Sequence, residues 1–433
     1  MGDFPETLTI VPAERPLSAT VAVPGSKSIT NRALLIAALA DGPSVLTGAL
    51  DSDDTRYMAE ALRVLGLSVA HDADAATFTV GGGGGTFPNH EADLFVGNSG
   101  TSMRFLVAAL TLGHGRYRID GVPRMRERPI DPLLVGLNDL GASVVSEAGN
   151  GCPPVVVIAS GLPGGEVTIP GDRSSQYFSA LMMAAPYAKQ DVRITVVGDL
   201  VSKPYLEITA AVMRDFGVET EIDDVAWRTF VVPSGQRYTG RNYPVEPDAS
   251  NASYFFAAAA VTGGTVRVPG LGRNSTQGDL QFVRVLEAMG CTVTVAEVHT
   301  EVSGPPVGTL KGVDLDLNAI SDTAQTLAAI APFADGPTTI RGVGHMRLKE
   351  TDRVAALATE LRKLGQTVEE QPDGLRIEPR PVSPAIVATY DDHRMAMSFA
   401  ITGLGAPGVT IADPACVAKT FPDFFTRLAA ARV

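Results

Sequence analysis

Cations stand at the starts of several predicted helices, where a bound anion is the simplest way to offset their unfavourable position. Six polar clusters each precede an Ala- and Leu-rich run, which is typical of a buried helix: GSKSITNR (25–32), GNSGTSMR (97–104), GDRSSQ (171–176), EPDASNAS (246–253), SDTAQ (321–325) and YDDHRMAM (390–397). Ser, Thr, Asp and Asn are the usual N-caps, so capping alone explains any single cluster. Several clusters also carry a cation beside the positive helix pole, namely Lys27, Arg32, Arg104 and Arg394. Each such cation costs a few tenths to about 1 kcal/mol, which a bound anion would offset.

Three further segments concentrate cations outside the helix starts: PRMRERPID (123–131), RLKETDR (347–353) and PACVAKTFPDF (414–424). The chain has only seven lysines against 28 arginines, so the lysines within these clusters stand out. An ammonium group is a compact charge that can also transfer a proton. A surface ion-pair network remains an alternative explanation for RLKETDR. Taken together, the clusters predict that one or two small polyanionic substrates bind here.

Composition excludes several classes of protein. The net charge of −13 argues against a nucleic-acid partner. The longest apolar runs, such as Ala33–Ala40, fall short of the roughly 20 residues that span a bilayer, and the N-terminal residues lack the pattern of a secretory signal. The three cysteines are too widely spaced for a disulfide framework, and the six histidines show no metal-ligand spacing. We therefore predict a cytoplasmic enzyme that does not act at a membrane.

The chain is built from repeats that must position these clusters. An amphipathic helix stops at a glycine and continues as a strand in VLGLSV, DLGASV, DFGVET, AMGCTV and KLGQTV, and these glycines lie 73 to 76 residues apart. Glycine just beyond a helix end is the usual left-handed cap. The pattern predicts six small α/β units of about 72 residues each. The run Gly81–Gly85 precedes no helix, so it predicts a flexible hairpin tip rather than a phosphate-binding loop.

The six units predict two domains of three units each. The sixth unit is cut short by the end of the sequence, so the β-rich segment Leu8–Val23 is expected to supply strands that it lacks. In that arrangement residues 1–24 plus 246–433 form one discontinuous domain with repeats 4–6, and residues 25–245 form an inserted domain with repeats 1–3. Anions bound by both domains would lie in a cleft between them.

Eight motifs, in this order, resemble those of the 5-enolpyruvylshikimate-3-phosphate (EPSP) synthase family of enolpyruvyl transferases: PGSKSITNRALLIAALA, GNSGTSMR, PRMRERPI, SSQYFSALMM, SKPY, LKETDR, YDDHRMAM and AKTFPDF. The resemblance extends from about residue 17 to residue 425. It implies a two-domain, inside-out α/β barrel-like fold of six βαβαββ-type repeats, with the active site in the interdomain cleft.

The resemblance implies a reaction of the shikimate pathway, which leads to chorismate and the aromatic amino acids. The enolpyruvyl group of phosphoenolpyruvate would pass to the 5-hydroxyl of shikimate 3-phosphate, through a tetrahedral intermediate, with release of phosphate. It implies no cofactor and no metal, because Lys and Arg side chains would neutralise the phosphates. We expect two small-molecule substrates and a monomeric protein.

Site residues follow from the same resemblance. The shikimate 3-phosphate site would comprise Lys27, Ser28, Arg32, Ser174, Ser175, Gln176, Ser202, Tyr205, Asp322, His345 and Lys349. Within it, Ser28 and Arg32 would hold the carboxylate, and the serines with Lys349 the 3-phosphate. The phosphoenolpyruvate site would comprise Lys27, Asn98, Gly100, Thr101, Arg128, Gln176, Arg353, His393, Arg394 and Lys419. Arg353 and Arg394 would grip the carboxylate in the bidentate geometry of guanidinium.

Addition of an alcohol across an enol double bond needs a base at oxygen and an acid at carbon. The resemblance implies that Asp322 accepts the proton of the 5-hydroxyl. Glu350 or Lys27 would protonate the methylene carbon, and His393 would orient or polarise the site. A glutamic acid that donates a proton near neutral pH needs a raised pKa, which burial can supply.

Two positions depart from the family pattern. His345 stands where many members have an asparagine that contacts the shikimate phosphate, and Phe105 stands where others often have proline. Two alternatives also stay open. The related transferase that acts on UDP-N-acetylglucosamine usually has a loop cysteine, which Gly121–Asp131 lacks. A non-catalytic anion-binding repeat protein would have no need of Asp322 and Glu350 beside its anions.

Overall fold

The computed structural model describes residues 4–223 and 225–432. The chain divides into two compact units, Met1–Pro24 with Glu246–Val433 and Gly25–Val245. In the described residues the α-helices are α1 (Lys27–Leu39), α2 (Asp53–Val64), α3 (Gly100–Leu110), α4 (Asp131–Asp139), α5 (Ser175–Ala184), α6 (Pro204–Asp215), α7 (Ala249–Thr262), α8 (Phe282–Ala288), α9 (Ala324–Ile330), α10 (Arg353–Lys363), α11 (His393–Gly405) and α12 (Phe424–Ala431).

The strands are short and fall between the helices. They are β1 (Thr7–Thr9), β2 (Ser18–Thr20), β3 (Ser44–Thr47), β4 (Val69–Asp72), β5 (Thr77–Val80), β6 (Glu91–Phe95), β7 (His114–Asp120), β8 (Val144–Ser146), β9 (Val155–Ser160), β10 (Gly165–Pro170), β11 (Val192–Val197), β12 (Glu221–Ile222), β13 (Thr229–Val232), β14 (Asn242–Pro244), β15 (Thr265–Pro269), β16 (Thr292–Val295), β17 (His299–Ser303), β18 (Asp314–Asp316), β19 (Thr338–Arg341), β20 (Thr367–Gln371), β21 (Gly374–Glu378), β22 (Ala385–Val387) and β23 (Val409–Ala412).

These strands form six small mixed sheets, three in each unit, which confirms the predicted α/β class with six repeats. In the second repeat β6, α3, β7, α4, β8 and β9 follow one another, so the order is βαβαββ. The pair β6 and β7 is parallel, whereas β9 pairs antiparallel with both β7 and β8. The third and fifth repeats have the same order and the same pairing.

The remaining repeats borrow a strand from elsewhere in their own unit. In the first sheet β14 pairs in parallel with β3, and in the fourth sheet β2 pairs in parallel with β15. The sixth sheet is completed by β1, which pairs antiparallel with β23. The prediction that the N-terminal segment supplies a strand to the sixth unit is therefore confirmed for β1, while β2 joins the fourth unit instead.

Each unit packs three of its helices into its centre. Helices α3 and α7 are buried along their whole length, because their sequences are apolar on every side after a short polar start. Helix α3 packs against α5, and α11 packs against both α9 and α7. The polar start of each helix is thereby held in a fixed place. In the described part of the chain, no helix combines the length and the apolar character needed to cross a membrane.

The outer helices, α2, α4, α6, α8 and α10, each end just before a glycine of the predicted pattern. Each of the five glycines of that pattern has a left-handed backbone, with φ between 85° and 103°, at Gly66, Gly141, Gly217, Gly290 and Gly365. A residue with a Cβ atom adopts this conformation only at a cost, so the glycines stop the helices at fixed points.

The prediction of a flexible hairpin tip at Gly81–Gly85 is wrong. The segment connects the first sheet to the second and lies against the end of α1, where the Gly83 N–H donates to the carbonyl of Ala38 at 2.8 Å. A Cβ atom on Gly82 would lie 2.1 Å from the carbonyl oxygen of Ala40. Close backbone packing, rather than flexibility, therefore explains why glycine is required.

Candidate active site

The polar clusters lie at the starts of the central helices, and five of the six supply a side-chain cap. Ser26 caps α1, Ser99 caps α3 and Ser174 caps α5, each by accepting a backbone N–H. Asp248 and Asp392 cap α7 and α11 in the same way. Capping thus accounts for one polar residue in each of these five clusters and for none in the SDTAQ cluster before α9, so the remaining side chains need another explanation.

Arg32 is a buried cation of the unit Gly25–Val245 that has only neutral partners. It is buried at 2% exposure, and its partners are all neutral: Thr209 Oγ1, Ser179 Oγ and the carbonyls of Ser28 and Tyr205, at 2.7 to 3.1 Å. Burial lowers the pKa of Arg32 to about 10. In the described residues no carboxylate pairs with it, and one N–H of Nη1 is left over from these four bonds. A bound carboxylate would supply the missing negative charge.

Phe105 lies beneath the same group. Its ring centroid is 5.1 Å from the guanidinium carbon of Arg32, and the ring is fully buried. The contact is a cation–π interaction, which gains strength where water is excluded. The departure of this position from the family pattern therefore bears directly on the Arg32 site.

Two more guanidinium groups converge at the start of α3. Arg128 donates to the carbonyl and the side-chain oxygen of Asn98 at 2.9 and 3.0 Å, and Arg104 donates to the carbonyl of Gly100 at 3.1 Å. A Cβ atom on Gly100 would lie 2.5 Å from Nη2 of Arg128 and 2.6 Å from Nη1 of Arg104. Two cations and a helix N-terminus therefore surround a point where only glycine fits, which favours binding of an anion.

The other predicted residues of this unit make fewer contacts with one another. Gln176 donates to Thr101 Oγ1 at 3.2 Å and so joins the starts of α5 and α3. Lys27 Nζ lies 3.5 Å from the buried Asp54. Ser175 and Ser202 are buried, and Ser202 has a left-handed backbone with φ of 54°. A left-handed backbone at a non-glycine residue is a strained conformation of the kind that clusters at binding sites.

In the unit Met1–Pro24 with Glu246–Val433, one carboxylate gathers three cations. Oδ1 of Asp322 lies 2.6 Å from Lys349 Nζ and 3.5 Å from Nη1 of Arg353. Oδ2 of the same carboxylate accepts from Arg394 at 2.9 Å. Arg394 also donates to Tyr254 and Ser250. Asp322 therefore neutralises cations that exceed its own charge, and the remaining positive charge favours an anion.

Arg353 is the centre of a second group. It makes a bidentate pair with Asp392 at 2.7 and 3.1 Å and contacts Glu350 Oε2 at 2.9 Å. Its burial alone lowers the pKa, but the carboxylates of Asp392, Glu350 and Asp322 outweigh burial, so the pKa of Arg353 rises. Glu350 also lies 3.6 Å from Lys419 Nζ. The carboxylate of Glu350 therefore forms ion pairs with two cations, Arg353 and Lys419.

Lys349 and His345 share a hydroxyl group. Ser321 Oγ lies 3.2 Å from Lys349 Nζ and 3.0 Å from Nε2 of His345. Burial, and then the charge of Lys349, lowers the pKa of His345 to about 3, so its imidazole is neutral at neutral pH. Burial also lowers the pKa of Lys349, although Asp322 works against that effect. His393 is fully buried beside Asp392, with Nδ1 3.7 Å from its carboxylate.

The structure thus brings the predicted residues together in two sets. One set holds Arg32 with Ser28 and Tyr205, Arg128 with Asn98 and Gly100, and Gln176 with Thr101. The other joins Asp322, Lys349, Arg353 and Arg394, with Glu350, Lys419, His345 and His393 around them. Sequence reasoning missed their supports, namely Thr209, Ser179, Ser321 and Asp392. Ser321 and Asp392 carried a signal, because each stands inside a polar cluster at a predicted helix start, SDTAQ and YDDHRMAM respectively. Among the described residues no group of three or more His, Cys, Asp or Glu side chains is arranged to hold a metal ion.

Comparisons with known proteins point to one family. The profile of "EPSP synthase (3-phosphoshikimate 1-carboxyvinyltransferase)" matches residues 11–428. The 3-phosphoshikimate 1-carboxyvinyltransferase of Nostoc punctiforme is 53% identical over 98% of each chain. The chloroplastic enzyme of Arabidopsis thaliana is 50% identical over 95% of this chain and 82% of its own length.

Solved structures agree with the sequence matches. The EPSP synthase of Acinetobacter baumannii superposes with a TM-score of 0.80 at 26% identity and covers 98% of both chains. The enolpyruvyl transferase NikO of Streptomyces tendae shares the fold, with a TM-score of 0.78 at 20% identity over 98% of this chain and 97% of its own. The chain belongs to the EPSP synthase family, the 3-phosphoshikimate 1-carboxyvinyltransferases of EC 2.5.1.19.

Proposed function

We propose that the residue sets of the two units act on one pair of substrates, shikimate 3-phosphate and phosphoenolpyruvate. Membership of the family makes the chain a transferase of aromatic amino acid biosynthesis that forms 5-enolpyruvylshikimate 3-phosphate and phosphate. What remains to be tested is which side chain does what. The observation that carries the assignment is the Asp322 carboxylate, which contacts three cations while Glu350 contacts a fourth.

We assign the shikimate 3-phosphate carboxylate to Arg32 and Ser28. Arg32 is buried without a carboxylate partner, and a carboxylate of the substrate would use its remaining N–H. The 3-phosphate would be held by Ser174, Ser175, Ser202 and Lys349, with His345 as a neutral neighbour and Tyr205 beside them. Lys349 would then exchange part of its contact with Asp322 for the phosphate, and this exchange would release Asp322 to act as a base.

We assign the phosphoenolpyruvate phosphate to Lys27, Arg128 and Lys419, with Asn98, Gly100, Thr101 and Gln176 around it. Its carboxylate would lie on Arg353 and Arg394, which already bind carboxylates in the structure. A phosphate on Lys419 and a carboxylate on Arg353 would draw both cations away from Glu350. Glu350 would then lose both ion-pair partners and would carry the proton that C3 receives.

The reaction then follows in two steps. Asp322 accepts the proton of the 5-hydroxyl while the oxygen of that hydroxyl bonds to C2 of phosphoenolpyruvate, and Glu350 or Lys27 gives a proton to C3, so a tetrahedral intermediate forms. The conjugate base of that acid then takes a proton back from C3 while the C2–O bond to phosphate breaks, which regenerates the double bond and releases phosphate. His393, held beside Asp392, would orient the acid. Exclusion of water protects the intermediate.

The assignment of base and acid is testable by following the two protons separately. In D2O, with both substrates present, the wild-type protein should incorporate deuterium at C3 of phosphoenolpyruvate. Glu350→Gln should lower this incorporation together with phosphate release, and Asp322→Asn should block both because addition at C2 cannot occur. Asp314→Asn, which changes an exposed carboxylate paired with Arg341, is the matched control and should leave both rates unchanged. Undiminished phosphate release by Asp322→Asn would refute the assignment of the base.

Location and assembly form a separate part of the proposal. We propose a cytoplasmic, monomeric enzyme. The residues named above all belong to this one chain, so the proposed chemistry requires no partner chain. Light scattering during gel filtration would test the monomer directly, since a dimer would elute with twice the mass.

A further inference from the structure

A buried carboxylate outside the proposed site holds the segment that leads into α11. Glu360 lies near the end of α10 and is fully buried. Its Oε1 accepts from the hydroxyl of Tyr390 at 2.6 Å, and its Oε2 accepts from the backbone N–H of Ala388 at 3.0 Å. Lys363 completes the set at 2.8 and 2.9 Å. Burial of a carboxylate is costly unless such partners satisfy it, so this arrangement is specific rather than incidental.

The segment held by Glu360 has a strained backbone. Tyr390 and Asp391 are consecutive non-glycine residues in the left-handed region, with φ of 57° and 54°. Strain of this kind persists only where surrounding contacts enforce it. The side chain of Tyr390 is 41% exposed, so apolar packing does little of this work. Burial, and then Glu360, raises the pKa of Tyr390 to about 12, so the phenol keeps the proton that it donates.

Two points on one helix therefore fix the start of another. Arg353 at the start of α10 binds Asp392 in a bidentate pair, and Glu360, seven residues later, binds Ala388 and Tyr390. Asp392 in turn caps α11 and accepts the backbone N–H of Arg394. A change at either point would let the start of α11 shift relative to Arg353.

We propose that Glu360 and Tyr390 are positioning residues for enolpyruvyl transfer, which set the place of His393 and Arg394 through the left-handed segment. This inference rests on the proposed function, in which His393 and Arg394 bind phosphoenolpyruvate. Neither Glu360 nor Tyr390 touches substrate in this account. Their effect should consequently fall on phosphoenolpyruvate far more than on shikimate 3-phosphate.

The test compares Tyr390→Phe with Lys363→Met. Tyr390→Phe removes only the hydroxyl that holds the segment, whereas Lys363→Met removes a partner of the same carboxylate that does not touch the segment. For Tyr390→Phe we expect KM for phosphoenolpyruvate to rise roughly three- to tenfold, because one hydrogen bond to a charged group is lost, with KM for shikimate 3-phosphate changed by less than about twofold. Lys363→Met should leave both KM values near those of the wild type.

Glu360→Gln provides a second variant should Tyr390→Phe fold poorly, since it retains one acceptor and should show the same selective rise. An unchanged KM for phosphoenolpyruvate in Tyr390→Phe would overturn the inference. An equal rise of both KM values with a lowered Tm would also overturn it, because it would show a merely structural role. A wild-type protein that releases no phosphate from the two substrates would contradict the proposed function itself, so the two failures are distinguishable.

Discussion

At the scale of single residues, the proposed mechanism depends most on Asp322. Its carboxylate occupies the place among Lys349, Arg353 and Arg394 where substrate anions are expected. Asp322→Asn keeps the shape but cannot accept the proton of the hydroxyl, so kcat should fall by about 10²- to 10⁴-fold. Steady-state phosphate release measures this, and circular dichroism establishes that the variant is folded. A fall of less than about tenfold would contradict the role of a base.

Gly100 offers a second test at this scale. A methyl group there would meet Arg128 and Arg104 at 2.5 and 2.6 Å, so Gly100→Ala must move at least one guanidinium group. Because both contacts are to the ends of flexible side chains, the fold should survive while the anion site changes. KM for phosphoenolpyruvate should rise at least about tenfold with Tm nearly unchanged. A wild-type KM would show that the site lies elsewhere.

His345 predicts a dependence of stability on pH. Its pKa is about 3 in the folded protein and near 6.5 in the unfolded chain, so between these values the unfolded chain binds the extra proton. Stability should therefore fall as pH is lowered below about 6.5. His345→Asn removes this contribution, and its Tm should fall less steeply between pH 6.5 and 4.5. Parallel melting curves for both proteins across this range would contradict the burial of a neutral imidazole.

At the scale of elements, the sequence was informative wherever one local rule decides the outcome. The polar starts of α1, α3 and α11 and the glycine ends of the outer helices depend on capping and on positive φ, which are properties of a few neighbouring residues. The exchange of β2 and β14 between repeats depends on pairing across more than 190 residues, as in Asn242 with Val45, and no local pattern encodes it. For the same reason the role of Gly82 was missed, since only the folded backbone brings Ala40 beside it.

Two of the glycines that end helices allow backbone strain to be compared with steric crowding. Gly217 and Gly365 both have left-handed backbones, but a Cβ on Gly217 would meet only Thr239 Oγ1 at 3.8 Å, whereas on Gly365 it would meet Ser383 Oγ at 2.8 Å. Gly217→Ala should destabilise by about 1 kcal/mol through backbone strain alone. Gly365→Ala should cost more, because steric crowding adds to the same strain. Urea unfolding measures both, and equal losses would show that crowding contributes nothing.

The site could be predicted from the sequence only in part, and for a physical reason. Motif positions identified the charged groups, but not which of them neutralise each other. That Glu350 lies between Arg353 and Lys419, and that Arg32 has neutral partners only, follow from tertiary packing. That burial prepares Glu350 to act as an acid stays a prediction, and the proposal adds that bound substrates first engage its two cations.

At the scale of the whole molecule, each unit supplies a set of cations, and the proposed chemistry requires both. The most direct measurement is phosphate release from phosphoenolpyruvate in buffer containing EDTA, with shikimate 3-phosphate or UDP-N-acetylglucosamine as acceptor. The wild-type protein should release phosphate with shikimate 3-phosphate only, and Lys27→Met in one unit and Glu350→Gln in the other should each lower the rate by at least about a hundredfold. An undiminished rate of phosphate release in either variant, or release with UDP-N-acetylglucosamine as acceptor, would contradict the proposed function.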